Sequence, residues 1–199
     1  MDTIKSKYHE TLAATIIKNL EKRQMEGYYC PTVEDAEKLA FSFLKDGQSV
    51  SFGGSMTLEE TGMLTALRHD PSIHLIDRST AKTPEETKKM YHDALSSDVY
   101  FMSTNAITAN GELVNIDGTG NRVSQTLFGP EKVYFVIGNN KVCPDLTSAM
   151  ERAKQIAAPK NAARLQVQTP CAKTGVCVDC NSPARICHSI VILERPRNG

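Results

Sequence analysis

Short apolar runs alternate with amphipathic helical segments along most of the chain, and this alternation restricts the fold more than any other feature of the sequence. The helical pattern is clearest over residues 3–24, where Ile4, Tyr8 and Leu12 begin an apolar stripe on one face. Segments that alternate in this way build a mostly parallel sheet covered by helices on both faces. We therefore predict a three-layer α/β fold, in a single domain over residues 1–199.

The other predicted elements follow from local signals. Thr83 and Pro84 are typical of the N-cap and the first position of a helix, and the stretch from Thr57 to Glu60 has the spacing of a capping box. The dipeptide Asn110-Gly111 indicates a tight hairpin turn. Strands are predicted over residues 49–52, 73–76, 99–102, 133–137 and 189–193, and helices over 33–44, 57–68 and 146–157 and after Thr83.

Composition disfavours two classes of partner. Lys and Arg together number 23, as do Asp and Glu, so the chain has no net charge to attract nucleic acid or an anionic membrane. No run of about 18 apolar residues occurs that would predict a membrane-spanning helix.

The N-terminal stretch lacks the apolar core of a signal peptide. We expect a cytoplasmic protein, in which thiols stay reduced, bind metal or take part in chemistry.

Two polar turns follow predicted strands, where parallel sheets bind ligands. The first lies in 51-SFGGSMTLEETG-62, where a strand runs into Gly53-Gly54-Ser55 and then into the helix predicted to begin at Thr57. Glycines let the backbone approach a ligand, and the N–H groups that open a helix favour an anion. A plain glycine turn followed by a good N-cap explains the same residues, so both interpretations stay open.

The second polar turn lies in 98-DVYFMSTNAITANGELVNIDGTGNR-122. A strand leads into Ser103, Thr104 and Asn105, and Arg122 closes the segment. Hydroxyls, amides and a guanidinium gathered at strand ends suit a phosphate or a carboxylate. Turn chemistry alone explains the same composition, because Asn, Asp, Gly, Ser and Thr all favour turns.

Four of the six cysteines gather in 170-PCAKTGVCVDCNSPARIC-187, with the spacing C-x5-C-x2-C-x6-C. The central C-x2-C is the spacing by which two thiolates from one tight turn reach one metal ion or cluster. Four thiolates suit a [4Fe–4S] cluster or, alternatively, tetrahedral zinc. The sequence therefore predicts a metal site with the ligands Cys171, Cys177, Cys180 and Cys187.

Three other interpretations of this segment stay open. The cysteines form disulfides, or they are free thiols in a flexible tail, or Cys177 and Cys180 alone form a redox pair. Helical periodicity is lost after Pro159, so residues 159–188 are predicted to be irregular. The remaining cysteines, Cys30 and Cys143, are predicted to be small apolar core residues.

Three segments carry a resemblance to a known family: SFGGSMTLEETGM, DVYFMSTNAITANGELVNIDGTGNRV and KVYFVIGNNKV. They resemble the LUD-domain family, the lactate-utilization proteins, and the resemblance extends from about Tyr8 to Glu194. The C-terminal TPCAKTGVCVDCNSPARIC resembles a short-form subgroup with a cysteine tail. We therefore expect a short form without the ferredoxin-type domains of longer relatives.

The resemblance implies a fold similar to those of ribose-5-phosphate isomerase, glucosamine-6-phosphate deaminase and the CoA transferases. It implies a small anionic ligand above the two polar turns, at Gly53, Gly54, Ser55, Thr57, Ser103, Thr104, Asn105 and Arg122. The wider superfamily uses a Glu, Asp or Lys in catalysis, but the catalytic residue here stays unassigned. The acids near the turns are Glu59, Glu60, Glu112 and Asp117.

Two functions are compatible with this resemblance. Some members belong to a multi-subunit system that oxidises L-lactate to pyruvate with iron–sulfur proteins, which implies redox partner proteins for this chain. The alternative is a stand-alone enzyme or sensor for a sugar phosphate or a CoA ester, with a structural zinc or free thiols. Relatives of this fold commonly form homo-oligomers, and we expect the same here.

Overall fold

A computed structural model of the protein describes residues 3–197. The ends of the predicted domain, residues 1–2 and 198–199, lie outside the described residues. The fold divides into two compact units. The parallel-sheet unit comprises residues 29–103 and 124–137, and the mixed-sheet unit comprises the described parts of 1–28, 104–123 and 138–199.

The parallel-sheet unit is built on four strands that all run in the same direction. They are β1 (Ser49–Phe52), β2 (His74–Ile76), β3 (Val99–Met102) and β6 (Lys132–Phe135), in the order β2-β1-β3-β6. The strand β3 lies between two neighbours, and all four of its residues are buried. A strand buried on both faces is typical of a parallel sheet within an α/β fold, so the predicted fold class is confirmed.

Helices connect the first three strands of this sheet, since a parallel pair requires a crossover. The helices α3 (Met56–Glu60) and α4 (Met63–His69) lie between β1 and β2, α5 (Pro84–Leu95) lies between β2 and β3, and α2 (Val33–Ser42) precedes β1. Thr83 caps α5 as predicted, because its side chain accepts a hydrogen bond of 3.2 Å from the backbone of Glu86. The core of the unit packs around Phe101, which is fully buried in β3.

The prediction that Thr57 caps a helix is wrong. Ser55 is the N-cap, and its side chain accepts a hydrogen bond of 3.4 Å from the backbone of Leu58. The predicted single helix is divided, because Gly62 adopts a left-handed φ of 76° between α3 and α4. Glycine tolerates this conformation without a steric penalty.

The mixed-sheet unit contains a second sheet that the sequence did not predict as separate. Its strands are β4 (Ala106–Thr108), β5 (Leu113–Asp117), β7 (Val142–Cys143) and β8 (Ser189–Leu193), in the order β7-β4-β5-β8. The strands β4 and β5 form the predicted hairpin around Asn110-Gly111, and Gly111 has a φ of 91°. β8 pairs antiparallel with β5, whereas β7 pairs parallel with β4.

The helices of the mixed-sheet unit are α1 (Thr3–Lys22), α7 (Leu146–Arg152), α8 (Ala158–Arg164) and α9 (Pro170–Thr174). In the helix α6 (Val123–Leu127), residues 124–127 belong to the parallel-sheet unit. A π-helical turn at Ala153–Ala157 joins α7 to α8. The structure therefore corrects the irregular segment predicted from residue 159. Pro159 lies at the start of α8, directly after the π-helical turn, and the helix continues through it.

Two further predictions concern burial. Cys143 is 6% exposed and packs in the core of the mixed-sheet unit, as predicted, whereas Cys30 is only half-buried. Among the described residues, no helix combines the length and the apolar character that crossing a membrane requires.

Candidate functional site

The four C-terminal cysteines line one small cavity of the mixed-sheet unit. This cysteine cavity has a volume of about 30 Å³, and its other lining residues include Lys154, Thr169 and Arg185. Each of the four is half-buried and has a free thiol rather than a disulfide. The structure therefore brings together the residues that sequence reasoning selected, namely Cys171, Cys177, Cys180 and Cys187.

Local signals place Cys171 at the edge of the cavity. Thr169, which is 2% exposed, caps α9, and its hydroxyl lies 3.4 Å from the sulfur of Cys171. The helix ends at Gly175, whose φ of 77° is left-handed and whose N–H group donates to the carbonyl of Cys171 at 2.9 Å. This glycine C-cap ends the helix and changes the direction of the chain. Cys177 follows Gly175 by two residues.

Arg185 ties the rest of the cysteine segment together. Its guanidinium donates to the backbone carbonyls of Cys180 and Cys187, and it makes an ion pair of 3.0 Å with Asp179. Asp179 has a φ of 47°, a left-handed conformation that Asp tolerates better than most residues. One planar side chain with several donors therefore links two of the four cysteine positions.

Burial raises the pKa of the Cys187 thiol above its ordinary value. The positive charge of Arg185 opposes this rise, whereas the other three cysteines of the cavity add to it. A raised pKa keeps the thiol protonated at neutral pH. A metal ion bound there therefore has to displace the proton, so its affinity increases with pH.

The donor set of the cavity fits the predicted metal, although the side chains are not arranged as a finished ligand shell. Four thiols around one cavity are the donors that zinc and iron–sulfur clusters prefer. Among residues 3–197, however, no group of three or more His, Cys, Asp or Glu side chains has the spacing of a metal site. The metal site stays a prediction.

The first predicted anion turn lies in the parallel-sheet unit, at the carboxyl end of β1. Gly53 is buried, and its N–H group donates to a β3 carbonyl at 2.8 Å. Gly54 is exposed beside it. The hydroxyl of Ser55 caps α3, Thr57 lies within that helix, and Ser103 follows β3 with 2% exposure. The structure thus places these five residues in one unit, with Ser103 directly after β3, the strand next to β1.

Sequence reasoning missed Arg78, which lies against the same turn. A Cβ atom added to Gly54 would be 2.6 Å from an Nη atom of Arg78, so the guanidinium lies directly over the glycine. The guanidinium also lies 5.6 Å from the centre of the Tyr91 ring. A usable signal was present, because Arg78 comes two residues after β2, a neighbour of β1 in the sheet.

Asp77, next to Arg78, is held ionised by its neighbours. Burial by itself raises the pKa of this carboxyl, but hydrogen bonds from Arg68 and Ser79 outweigh burial and lower the pKa. The ion pair with Arg68 spans 2.8 Å, and Asp77 is 7% exposed. The neutral acid would lose this ion pair with Arg68.

We expect acid to destabilise the protein partly through Asp77. A folded-state pKa below the unfolded value stabilises the protein above about pH 4, and this contribution disappears as the pH falls through the folded pKa. The Asp77→Asn variant should therefore show a weaker dependence of the free energy of unfolding on pH between about 5 and 2. Urea unfolding at several pH values measures this free energy. The exposed Asp46→Asn variant is the control, and equal pH dependences in wild type and Asp77→Asn would contradict the assignment.

The remaining predicted anion-binding residues lie in the mixed-sheet unit and make internal contacts. Arg122 donates to the carbonyl of Ile116 at 2.8 Å and to the side chain of Asn115 at 3.2 Å. The hydroxyl of Thr104 is within bonding distance of the carbonyls of β4 and β5, and the side chain of Asn105 accepts from the backbone of Ile116 at 2.7 Å. These contacts indicate that all three residues support the sheet.

The candidate acids are likewise occupied or exposed. Asp117 lies 3.5 Å from Arg122 and is 6% exposed. Glu112 contacts both Arg23 and Thr108. The other two, Glu59 and Glu60, are exposed on α3. The catalytic residue stays unassigned.

The chain was compared with protein-family models, with curated proteins and with solved structures. The family model described as the LUD domain matches residues 13–199. A search of curated proteins found no significant match. Among solved structures, eIF2B delta from Chaetomium thermophilum is similar with a TM-score of 0.36 and 18% identity, over 72% of this chain and 55% of that one. The family model covers nearly the whole sequence, and the chain therefore belongs to the LUD-domain family.

Proposed function

We propose that the protein is a cytoplasmic component of a system that oxidises L-lactate to pyruvate, and that its cysteine cavity holds a metal centre. Membership of the LUD-domain family supports the pathway. The observation that carries the proposal is the convergence of four free thiols on one cavity. The preferred centre is a [4Fe–4S] cluster, and zinc is the alternative.

The residues that would hold the centre are the four cysteines of the cavity. Four thiolates concentrate negative charge, and Lys154 and Arg185 line the same cavity with Asp179, which pairs with Arg185. Lys154 is therefore the lining cation that offsets the thiolates most directly. Arg185 also fixes the backbone at Cys180 and Cys187 through its hydrogen bonds. Groups of this kind orient the ligands of a metal site and adjust its electronic properties.

A bound iron–sulfur cluster supplies a site that accepts and donates single electrons. Oxidation of lactate to pyruvate removes two electrons and two protons from the substrate. In the proposed system the electrons pass to iron–sulfur partner proteins, and the Gly53-Gly54 turn binds the substrate as a small carboxylate anion. This chain contributes the thiols and the anion-binding groups.

Metal analysis of the protein purified without oxygen tests this proposal. We expect about four iron and four sulfide per chain for a [4Fe–4S] cluster, with a broad visible absorption, or about one zinc per chain for the alternative centre. Iron, zinc and acid-labile sulfide are measured on the same sample. Protein that contains neither metal, and takes up neither from iron and sulfide or from zinc, would contradict the proposed centre.

A second function is favoured by the parallel-sheet unit. Its glycine turn lies at the carboxyl end of a parallel strand, with Arg78 over Gly54, which suits a phosphate group. This observation supports a stand-alone enzyme or sensor for a sugar phosphate or CoA ester. A ligand at about 100 times its Kd stabilises a protein by roughly 2.7 kcal/mol. An unchanged melting temperature with saturating sugar phosphates and CoA esters would contradict this second function.

A further inference from the structure

We infer that Arg78 is the charged group that binds an oxyanion, a carboxylate or a phosphate, above the Gly53-Gly54 turn of the parallel-sheet unit. The inference rests on the anion-binding part of the proposed function and does not depend on the metal centre. It assigns the role to a residue that follows β2, in addition to the turn that follows β1.

The first support is the unused bonding capacity of Arg78. Among the residues that the structure describes, its guanidinium makes no hydrogen bond and no ion pair, and it lies over the ring of Tyr91 at 5.6 Å. The nearest acid in sequence, Asp77, is engaged by Arg68 at 2.8 Å and by the backbone of Ser79. The charge of Arg78 is therefore not neutralised by an ion pair within the described chain.

The second support is the shape of the turn. The guanidinium lies so close to Gly54 that a Cβ atom there would be 2.6 Å from Nη2, and only glycine leaves this space free. Gly54 is exposed and Arg78 is half-buried, so both reach solvent. The N–H group of Gly54 also donates to no acceptor in the described part of the chain. One backbone donor and a planar fork of donors thus lie side by side.

The third support is the position within the sheet. β1 and β2 are parallel neighbours, with Ser51 opposite Ile76, so the chain leaves both strands at the same edge. Ligands of open α/β sheets bind beyond this carboxyl edge. The cation–π contact with Tyr91 at 5.6 Å favours this position of the guanidinium, which reduces the entropy lost when an anion binds. Arg presents two parallel N–H groups to a carboxylate or a phosphate.

Calorimetric titration of the full chain with L-lactate and, separately, with inorganic phosphate tests the inference. We expect wild type to bind at least one of the two, and which one it binds distinguishes a carboxylate ligand from a phosphate ligand. The Arg78→Gln variant should bind the same anion roughly ten- to a hundredfold more weakly, because a charge-assisted hydrogen bond is lost. Arg78→Lys should recover only part of the affinity, since lysine keeps the charge but lacks the two parallel N–H groups of the guanidinium.

Two further variants keep the result interpretable. Gly54→Ala keeps Arg78 but displaces its guanidinium, so it should weaken binding to a similar extent. Lys82→Gln removes an exposed cation of the same unit and should bind like wild type. Melting temperatures near that of wild type confirm that the variants are folded. Wild type that binds neither anion, or Arg78→Gln that binds as tightly as wild type, would overturn the inference. The metal analysis tests the proposed metal centre independently of this result.

Discussion

If the cysteine cavity holds the proposed metal centre, a Cys177→Ser/Cys180→Ser variant is expected to lose essentially all of that metal. These two residues supply the central C-x2-C pair of the cysteine cavity, and both are half-buried free thiols. Serine has nearly the same shape but lacks the thiolate that zinc and iron–sulfur clusters require. Two remaining thiols cannot complete a tetrahedral site or hold a four-iron cluster. Metal and sulfide analysis of anaerobically purified protein measures the loss.

Cys30→Ser is the matched control for this variant. Cys30 is also a half-buried free thiol, but it belongs to the parallel-sheet unit and does not line the cysteine cavity. We expect it to keep the wild-type metal content. A double variant that still holds as much metal as wild type would show that the metal is bound elsewhere. Retained secondary structure, checked by circular dichroism, separates loss of ligands from loss of folding.

Replacing Arg122 with alanine is expected to lower the free energy of unfolding by about 3 kcal/mol or more. The side chains of Arg122 and Asp117 are only 13% and 5% exposed. Removing the guanidinium leaves this carboxylate without its opposite charge, and it removes a donor from Asn115, which is fully buried. Losing one partner of a buried ion pair costs more than the pair contributes when intact. Urea denaturation at neutral pH measures the change.

Arg164→Ala is the control for Arg122→Ala. Arg164 is exposed, and its guanidinium bonds to Asn161 within the same helix, so we expect a change of at most about 0.5 kcal/mol. The comparison also separates two roles of Arg122. A residue that serves only to bind an anion leaves stability nearly unchanged when removed. A loss below about 1 kcal/mol for Arg122→Ala would therefore favour the ligand-binding role predicted from the sequence.

Short-range signals were read correctly where a few neighbouring residues decide the structure. Thr83 caps α5 because the cap needs only a side-chain oxygen and an N–H group three residues later. The Asn110-Gly111 hairpin forms because Gly111 accepts a positive φ. The same local reasoning placed the N-cap of α3 at Thr57 instead of Ser55. Two hydroxyl residues two positions apart compete for one helix start, and the sequence pattern does not decide between them.

The division into two sheets was not predictable in the same way. β5 pairs with β8 although their sequences are far apart, and this pairing places Ser189 opposite Asp117. Cys187 comes two residues before β8, so this long-range register brings it to the cavity that Cys171 and Cys177 line. The C-x2-C spacing predicted only the local pair of thiols.

The sequence by itself determined the family, through its resemblance to known members, and it determined the α/β class, the N-cap of α5 and the identity of the four thiols, because these follow from residue types at short spacing. Only the tertiary structure decided what the basic side chains do. Arg122, chosen from its position after a polar turn, makes internal contacts with Asn115 and Asp117. Arg78, which the sequence did not single out, lies over Gly54. A guanidinium on a long side chain takes its partners from whichever strands the register places nearby, and that register is set by the packing of the whole sheet.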